Sequence, residues 1–163
     1  MSKLKYLGTY ISPLLALISF NCTGFFAYSG IIFLYVLVPF LENLIPKNNY
    51  NFNKEENNSA KHDWFYNWIL YLLVPFHLYV IYVFLITIAN PALELADLIG
   101  YVLMMGTILG INGINGGHEL GHKINPPVKM FLARVLLTTS FQNHFITYHN
   151  AGHHRDVATP NDL

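Results

Sequence analysis

The stretch Asn115-Gly116-Gly117-His118-Glu119-Leu120-Gly121-His122-Lys123 follows a long apolar run near the end of the chain. A second stretch, Tyr148-His149-Asn150-Ala151-Gly152-His153-His154, comes after a segment of mixed apolar and polar residues. Residues 118–122 and 149–154 are called box 1 and box 2, and they hold five of the eight histidines in the chain. Because neutral imidazole is a common protein ligand for zinc and iron, these clusters predict a metal centre held against a membrane.

The composition indicates an integral membrane protein. The chain is 53% hydrophobic and only 11% charged, whereas a soluble domain carries about 25% charged residues. The net charge is zero and there is no basic tract, which argues against nucleic acid as a partner. Cys22 is the only cysteine, so an internal disulfide, a cysteine zinc site and an iron–sulfur cluster are excluded within this chain.

Apolar segments predict an all-α bundle of four transmembrane helices, at about residues 6–23, 25–45, 64–89 and 93–114. Pro13 predicts a kink in the first span. An interfacial aromatic belt opens the third span, formed by Trp64, Tyr66 and Trp68. The fourth span has a thin face for close helix packing, formed by Gly106, Gly110, Gly113, Gly116 and Gly117.

The basic residues predict the orientation of the bundle. All nine Lys and Arg residues lie before the first span, in the polar connector 46–62, or after the fourth span. With an even number of spans they share one side of the membrane, which the positive-inside rule makes cytoplasmic. Both boxes are therefore predicted to be cytoplasmic. Residues 126–148 are predicted to form an amphipathic segment on or just under the membrane surface.

The histidine spacing within each box suits metal binding by helices. Histidines one helical turn apart lie about 5–6 Å from each other at Cβ, close enough to share one ion. His154 is rotated about 100° from its neighbour on a helix, so the adjacent pair suits two metals better than one. The predicted ligands are His118, His122, His149, His153 and His154.

Four other polar residues are candidates for supporting roles. His144 is a possible ligand, a partner of a ligand, or a bystander. His77 lies within the third span and is either functional or a buried, hydrogen-bonded histidine. Glu119 and Asp156 are candidate carboxylates that orient imidazoles, although Glu119 has the alternative of pairing with a lysine one helical turn away.

Box 1 also fits the H-E-x-x-H pattern, in which two histidines bind zinc and Glu119 is the general base of a protease. This short pattern recurs by chance. A one-zinc protease has no use for a second box that ends in adjacent histidines and continues into Arg155-Asp156-Val157-Ala158-Thr159-Pro160. The sequence therefore favours a two-metal site, with the intramembrane zinc protease as an alternative.

The two boxes resemble the first two histidine boxes of membrane alkane 1-monooxygenases, in the fatty acid desaturase and hydroxylase superfamily. The residues that carry this resemblance are His118-Glu119-Leu120-Gly121-His122-Lys123 and His149-Asn150-Ala151-Gly152-His153-His154-Arg155-Asp156-Val157-Ala158-Thr159-Pro160. The preceding spans are similar in order and spacing, so the resemblance covers essentially the whole chain. It implies a non-haem di-iron centre with the five box histidines as iron ligands. It also implies a linear alkane or alkyl substrate, electrons from rubredoxin and its NADH-dependent reductase, and a place in the bacterial inner membrane.

Two features depart from the family pattern. Tyr148 stands where the family usually has a glutamate, so a carboxylate beside box 2 is missing or supplied elsewhere. The family's third histidine box is absent from the 163 residues. We therefore expect residues 1–163 to be the N-terminal part of a single membrane di-iron hydroxylase domain, inactive alone for want of ligands. A fatty acyl desaturase or hydroxylase of the same superfamily is a second hypothesis, and a helical membrane module with a vestigial site is a third.

Overall fold

The computed structural model describes residues 3–45, 63–122 and 127–149, and within these ranges the chain forms helices and turns with no strand. The predicted all-helical class is thereby confirmed for the described residues. Three helices are long and apolar enough to cross a membrane: α2 (Gly24–Leu44), α3 (Trp64–Ile88) and α4 (Leu95–Gly121). They match the second, third and fourth predicted spans.

The first predicted span has a different form. It consists of a 3-10 helix, Lys3–Tyr10, that continues into a short α-helix, α1 (Ile11–Phe20). It is not among the three membrane-length helices, so the count of four spans stays a prediction. Pro13 falls in the first turn of α1, where the missing N–H removes no helical hydrogen bond. The helix type changes from 3-10 to α just before Pro13, and the predicted kink stays a prediction.

The helix α2 is irregular. Its parts are a 3-10 turn Gly24–Tyr28, an α-turn Ser29–Ile32, a π-turn Phe33–Leu37 and an α-helix Val38–Leu44. The π-turn lies just before Pro39, which cannot donate a backbone hydrogen bond to the preceding turn. A widened turn is a common way to accommodate such a missing bond.

The residues divide into two compact units, Met1–Thr107 and Ile108–Leu163. In the first unit α1 and its 3-10 helix pack along α3. Successive contacts join Tyr6 to Tyr66, with ring centroids 4.9 Å apart, and Phe20 to Phe84 at 5.5 Å. Between them the Tyr10 hydroxyl donates to the Ile69 carbonyl oxygen at 2.7 Å. Because the contacts advance in the same direction along both segments, the two run parallel.

The helix α2 pairs with the first half of α4 in the same manner. The Gly24 amide donates to the Asp97 carboxylate at 2.7 Å, and further along the Tyr35 hydroxyl lies 3.5 Å from the Thr107 hydroxyl. Midway, a Cβ added at Gly30 would meet the sulfur of Met104 at 2.6 Å, so a larger residue there would require the Met104 side chain to shift. These contacts also advance together, so α2 and α4 run parallel.

In the second unit α4 ends as a π-turn, Leu109–Asn115, followed by an α-helix, Gly116–Gly121. Next come α5 (Pro127–Thr139) and α6 (Phe145–Tyr148). The helix α5 runs antiparallel to the end of α4, since the Ser140 hydroxyl after α5 donates to the Leu109 carbonyl oxygen at 2.9 Å. The order of elements therefore returns the chain towards box 1.

The predicted thin glycine face is confirmed at two positions and wrong at two others. A Cβ added at Gly113 would collide with the Ser140 side chain. A Cβ added at Gly117 would lie 2.7 Å from Cγ of Leu137. At Gly106 and Gly110 no described atom lies within 4 Å of an added Cβ.

The amphipathic segment contains the predicted helix, but one basic residue is placed unexpectedly. Lys129 is only 8% exposed and lies on the face of α5 that packs inward with Ala133 and Leu137. Phe131, on the outer face, is 64% exposed. The position of this helix relative to a membrane stays a prediction.

Candidate metal centre

Box 1 lies at the C-terminal end of α4. Because the fourth helix continues to Gly121, beyond the predicted end of the span, His118 and His122 lie on one face of the same helix. Their ring centroids are 4.4 Å apart and their Nε2 atoms are in contact. The helical pair expected from the spacing is therefore present.

Box 2 adds a third ring from a separate segment. His149 follows α6, and its ring centroid lies 4.3 Å from that of His118 and 5.2 Å from that of His122. One ring nitrogen from each histidine lies within 4.8 Å of the other two. His118 and His149 are partly buried, whereas His122 is exposed. The structure thus brings together three of the five predicted ligands, one of them from box 2.

The other candidate residues are placed differently. His153, His154 and Asp156 lie outside the described residues. His144 is exposed and does not belong to the cluster, and Glu119 is exposed on the helix that carries box 1. His77 is fully buried in α3 and is also not a member of the cluster.

Small residues on α4 allow this convergence. The close approach of α5 at Gly113 and Gly117 sets the start of the return segment, and Gly121 then contacts Ile146 of α6. An added Cβ at Gly121 would lie 3.4 Å from the Ile146 side chain. Since α6 is only four residues long, this contact fixes where His149 emerges.

Phe145 completes the cluster and was missed by the sequence analysis. Its ring stacks on His149, with centroids 4.8 Å apart and an interplanar angle of 16°, and meets the edge of His118 at 5.4 Å. The available signal was its spacing one helical turn before His149. An aromatic ring in this place limits the orientations of two imidazoles and covers one side of the cluster.

The three rings fit a single metal ion. Zinc binds imidazole nitrogen at about 2.0–2.1 Å, so two ligand nitrogens of one ion lie at most about 4.2 Å apart. One ring nitrogen of each histidine lies within 4.8 Å of the other two, which is close to that range. The donor set is all imidazole, which suits zinc and iron alike.

The sequence of the chain is similar to those of named enzymes. No family model matches the chain. Over 93% of its own length, the present chain is 29% identical to alkane 1-monooxygenase 1 of Alcanivorax borkumensis. It is also 29% identical to alkane 1-monooxygenase of Pseudomonas putida over 93% of its own length. The alkane 1-monooxygenase of Acinetobacter baylyi is 30% identical over 84% of the chain. The chain spans 37% of the first relative, 38% of the second and 33% of the third. The resemblance based on the two boxes is therefore confirmed: along nearly all of its length this chain is similar to alkane 1-monooxygenases.

Proposed function

We propose that this chain forms the box-bearing part of a membrane non-haem di-iron monooxygenase that hydroxylates the terminal methyl group of linear alkanes. The observation that carries the proposal is the convergence of His118, His122 and His149 from two separate segments. The similarity to alkane 1-monooxygenases supports the reaction class and the substrate.

The helix pairing supports a four-span topology. The segment 3–20 runs parallel to α3 and packs along it, so it crosses a membrane in the same direction if α3 does. Likewise α2 and α4 run parallel. The first and third spans then lead away from the side that holds Lys3, and the second and fourth return to it. Under the positive-inside rule that side is the cytoplasm, and box 1 lies there at the end of α4.

We infer that His118, His122 and His149 would hold one iron ion, and that His153 and His154 of box 2 would contribute to the second site. Bound iron supplies the activation of dioxygen, so that one oxygen atom enters the alkane as a primary alcohol and the other leaves as water after two electrons and two protons are added. The chain itself positions the imidazoles, through the glycine contacts of α4 and the ring of Phe145. Because the outer side chains of the spans are apolar, a hydrophobic substrate approaches the site from the bilayer.

Rubredoxin, reduced by its NADH-dependent reductase, is the proposed electron donor. A basic surface would attract an acidic carrier and make the association dependent on salt. Lys129 cannot form part of such a surface because it is buried, whereas Arg134 on the same helix is exposed. Among the described basic residues of α5, we assign carrier docking to Arg134.

A chimera provides the test of activity. In it the chain replaces the matching 38% of the Pseudomonas putida alkane 1-monooxygenase. We expect about two iron ions per chain and conversion of a linear alkane to a primary alcohol, and a loss of more than about 100-fold in His149→Ala. The double variant His153→Ala, His154→Ala should also be inactive. Unchanged activity in these variants would remove the proposal, and oxidation of fatty acyl chains but not of alkanes would identify the enzyme as a fatty acyl desaturase or hydroxylase.

The described part of the cluster also favours a second candidate, a zinc metalloprotease. The two imidazoles and the glutamate of box 1, together with the imidazole of His149, are the components of a one-zinc hydrolytic site. The variant Glu119→Gln separates the two functions, because a protease loses its general base whereas an oxygenase keeps its ligands. We expect the chimera with Glu119→Gln to retain hydroxylation, with a loss of no more than about 100-fold if Glu119 orients an imidazole. One zinc per chain together with peptide cleavage that depends on Glu119 would establish the protease instead.

A further inference from the structure

The turn at residues 140–144, between α5 and α6, lies alongside the membrane-length helix α4. The Ser140 hydroxyl donates to the Leu109 carbonyl oxygen at 2.9 Å. Nearer to box 1, the Ala133 carbonyl oxygen lies 3.2 Å from a Cβ added at Gly117. The helix α5 therefore runs along α4 from the level of box 1 towards the interior of the predicted span.

The depth of this turn follows from the length of α4. A hydrocarbon core of about 30 Å is crossed by about 20 helical residues, so a span that begins at Leu95 leaves the core near Asn115. The π-turn Leu109–Asn115 ends at that point, which places Leu109 at most about 9 Å inside the core. The turn that is bonded to Leu109 is expected at the same depth. Residues 135–154 include no Lys, Arg, Asp or Glu, so no such charge opposes insertion.

The backbone of the turn forms hydrogen bonds within the chain. The Phe141 amide donates to the Thr138 carbonyl oxygen at 3.1 Å. The Gln142 amide donates to the Leu137 carbonyl oxygen at 2.8 Å, and the Thr138 hydroxyl donates to that of Arg134 at 2.7 Å. Since hydrocarbon offers no other hydrogen-bond partners, a turn packed on a helix can enter it only when its polar groups are bonded in this way.

Phe141 combines an exposed ring with an uncommon backbone conformation. Its side chain is 89% exposed. Its φ is 57°, and among the described residues it is the only non-glycine residue with a positive φ. Glycine or asparagine usually occupies such a position after a helix. In water neither feature is favourable, whereas in hydrocarbon the exposed ring is stabilised by its apolar surroundings.

The polar residues that follow Phe141 belong to the returning part of the chain. The Ile146 side chain lies 3.4 Å from a Cβ added at Gly121, at the level of box 1. Asn143 and His144 are exposed between these two levels. The chain therefore leaves the depth of Leu109 within a few residues.

We propose that α5 and the turn 140–144 form a re-entrant segment, which enters the bilayer beside α4 and places Phe141 among lipid acyl chains. The chain consequently reaches His149 from the hydrocarbon side of box 1. The inference rests on the membrane location of α4 and does not depend on oxygenase activity.

Spin labels measure the depth of the turn. In a Cys22→Ser background, the full chain with Phe141→Cys or Phe131→Cys is labelled with a nitroxide and reconstituted in phosphatidylcholine vesicles. Collisions with oxygen, which partitions into hydrocarbon, and with a water-soluble nickel chelate report the depth of each label. Phe131 is the matched control, because it is also exposed but lies near the other end of α5.

The part of α5 from Phe131 to Thr139 is about 12 Å long, so we expect the label at position 141 to lie about 12 Å deeper than the label at 131. Equal depths would mean a helix lying flat on the membrane surface and would overturn the proposal. Leu103→Cys, at a 50% exposed position of α4, is the hydrocarbon reference. Nickel collisions at 141 but not at 103 would overturn the re-entrant segment alone. Nickel collisions at both positions would also remove the membrane location of α4, and with it the proposed topology.

A second variant tests the same inference without a label. Phe141→Asn relieves the backbone, because asparagine tolerates a positive φ, but it exposes an amide. In detergent micelles, whose interior is also hydrocarbon, we expect a lower unfolding midpoint for Phe141→Asn and an unchanged midpoint for Phe141→Leu. A higher midpoint for Phe141→Asn would place the turn in water and overturn the proposal, and equal losses in the two variants would also contradict it.

Discussion

His149 reaches the pair of histidines on α4 from a separate segment, which makes it the most informative single residue of the cluster. We expect His149→Ala to weaken Co²⁺ binding to the purified chain by at least about tenfold, because one of three converging nitrogens is lost. The matched control is His144→Ala, which removes an exposed imidazole outside the cluster. Isothermal titration and the visible absorption of bound Co²⁺ measure both. Similar losses in the two variants would contradict the three-histidine site.

Lys3 and Asp63 form an ion pair between the start of the chain and the start of α3. Hydrogen bonds from Lys3 and from the Phe65 amide hold the pKa of Asp63 below the usual carboxyl value of about 3.9, and the same pair raises the pKa of Lys3 above about 10.4. A carboxyl group whose pKa is lower in the folded chain than in the unfolded chain stabilises the folded state at pH values above its unfolded pKa. This contribution is lost as the pH falls through its folded pKa. The lysine contribution is lost as pH rises through its raised pKa.

The variant Asp63→Asn tests this pair, since asparagine still caps the helix but carries no charge. We expect a lower melting temperature than that of the unchanged chain at pH 7. The difference should shrink as the pH is lowered below about 3.9 and as it is raised above about 10.4. Thermal unfolding in detergent across this range measures it, and a difference that does not vary with pH would show that the charge plays no part.

The sequence predicts the histidines of the cluster better than their surroundings. His118, His122 and His149 are recognisable because metal binding requires a particular residue type at a helical spacing. Phe145 is not, because an aromatic residue in an apolar segment is equally suited to packing against lipid or protein. Its role becomes visible only when its ring is found stacked at 4.8 Å on His149.

At the scale of helices, the contact between α4 and α5 directs the chain back towards box 1, where His149 lies. Gly117→Ala would place a Cβ 2.7 Å from Leu137 Cγ, and we expect overpacking to cost about 1–3 kcal/mol of stability. Gly106→Ala is the control, because no described atom lies within 4 Å of its Cβ, and it should gain about 0.5–1 kcal/mol. Thermal unfolding and Co²⁺ binding measure both variants, and only Gly117→Ala should also weaken metal binding.

The face that α5 buries could not be predicted from its sequence. Apolar residues occur on more than one side of this helix, with Leu137 buried and Phe131 64% exposed, so periodicity does not select one face. The glycines of α4 select it, since they admit Leu137 at close range. Lys129 is consequently drawn into the packed face, although a basic residue in an amphipathic helix is usually expected on the polar side.

For the whole molecule, the apolar runs predict the helices well because a membrane span requires a minimum length of hydrophobic sequence. They do not predict which helices are neighbours. The parallel pairs depend on particular contacts, such as the bond from Tyr10 to the Ile69 carbonyl and that from the Gly24 amide to Asp97. These pairs give the segment 3–20 the same direction as α3, which length and composition alone leave undecided.

The four-span topology makes a direct prediction about the two ends of the segment 3–20. Cys22 is the only cysteine, so in a Cys22→Ser background a cysteine introduced elsewhere reports one position at a time. We expect Asn21→Cys, in the turn before α2, to react with an impermeant maleimide added outside intact cells, and Leu4→Cys to react only after the membrane is opened. Asn90→Cys, in the turn after α3, should behave like Asn21→Cys because α1 and α3 run parallel. Labelling of Leu4→Cys and Asn21→Cys from the same side would leave α2, α3 and α4 as the spans among the described residues. With that odd number of spans, box 1 would lie on the opposite side of the membrane from Leu4 and not on the same side.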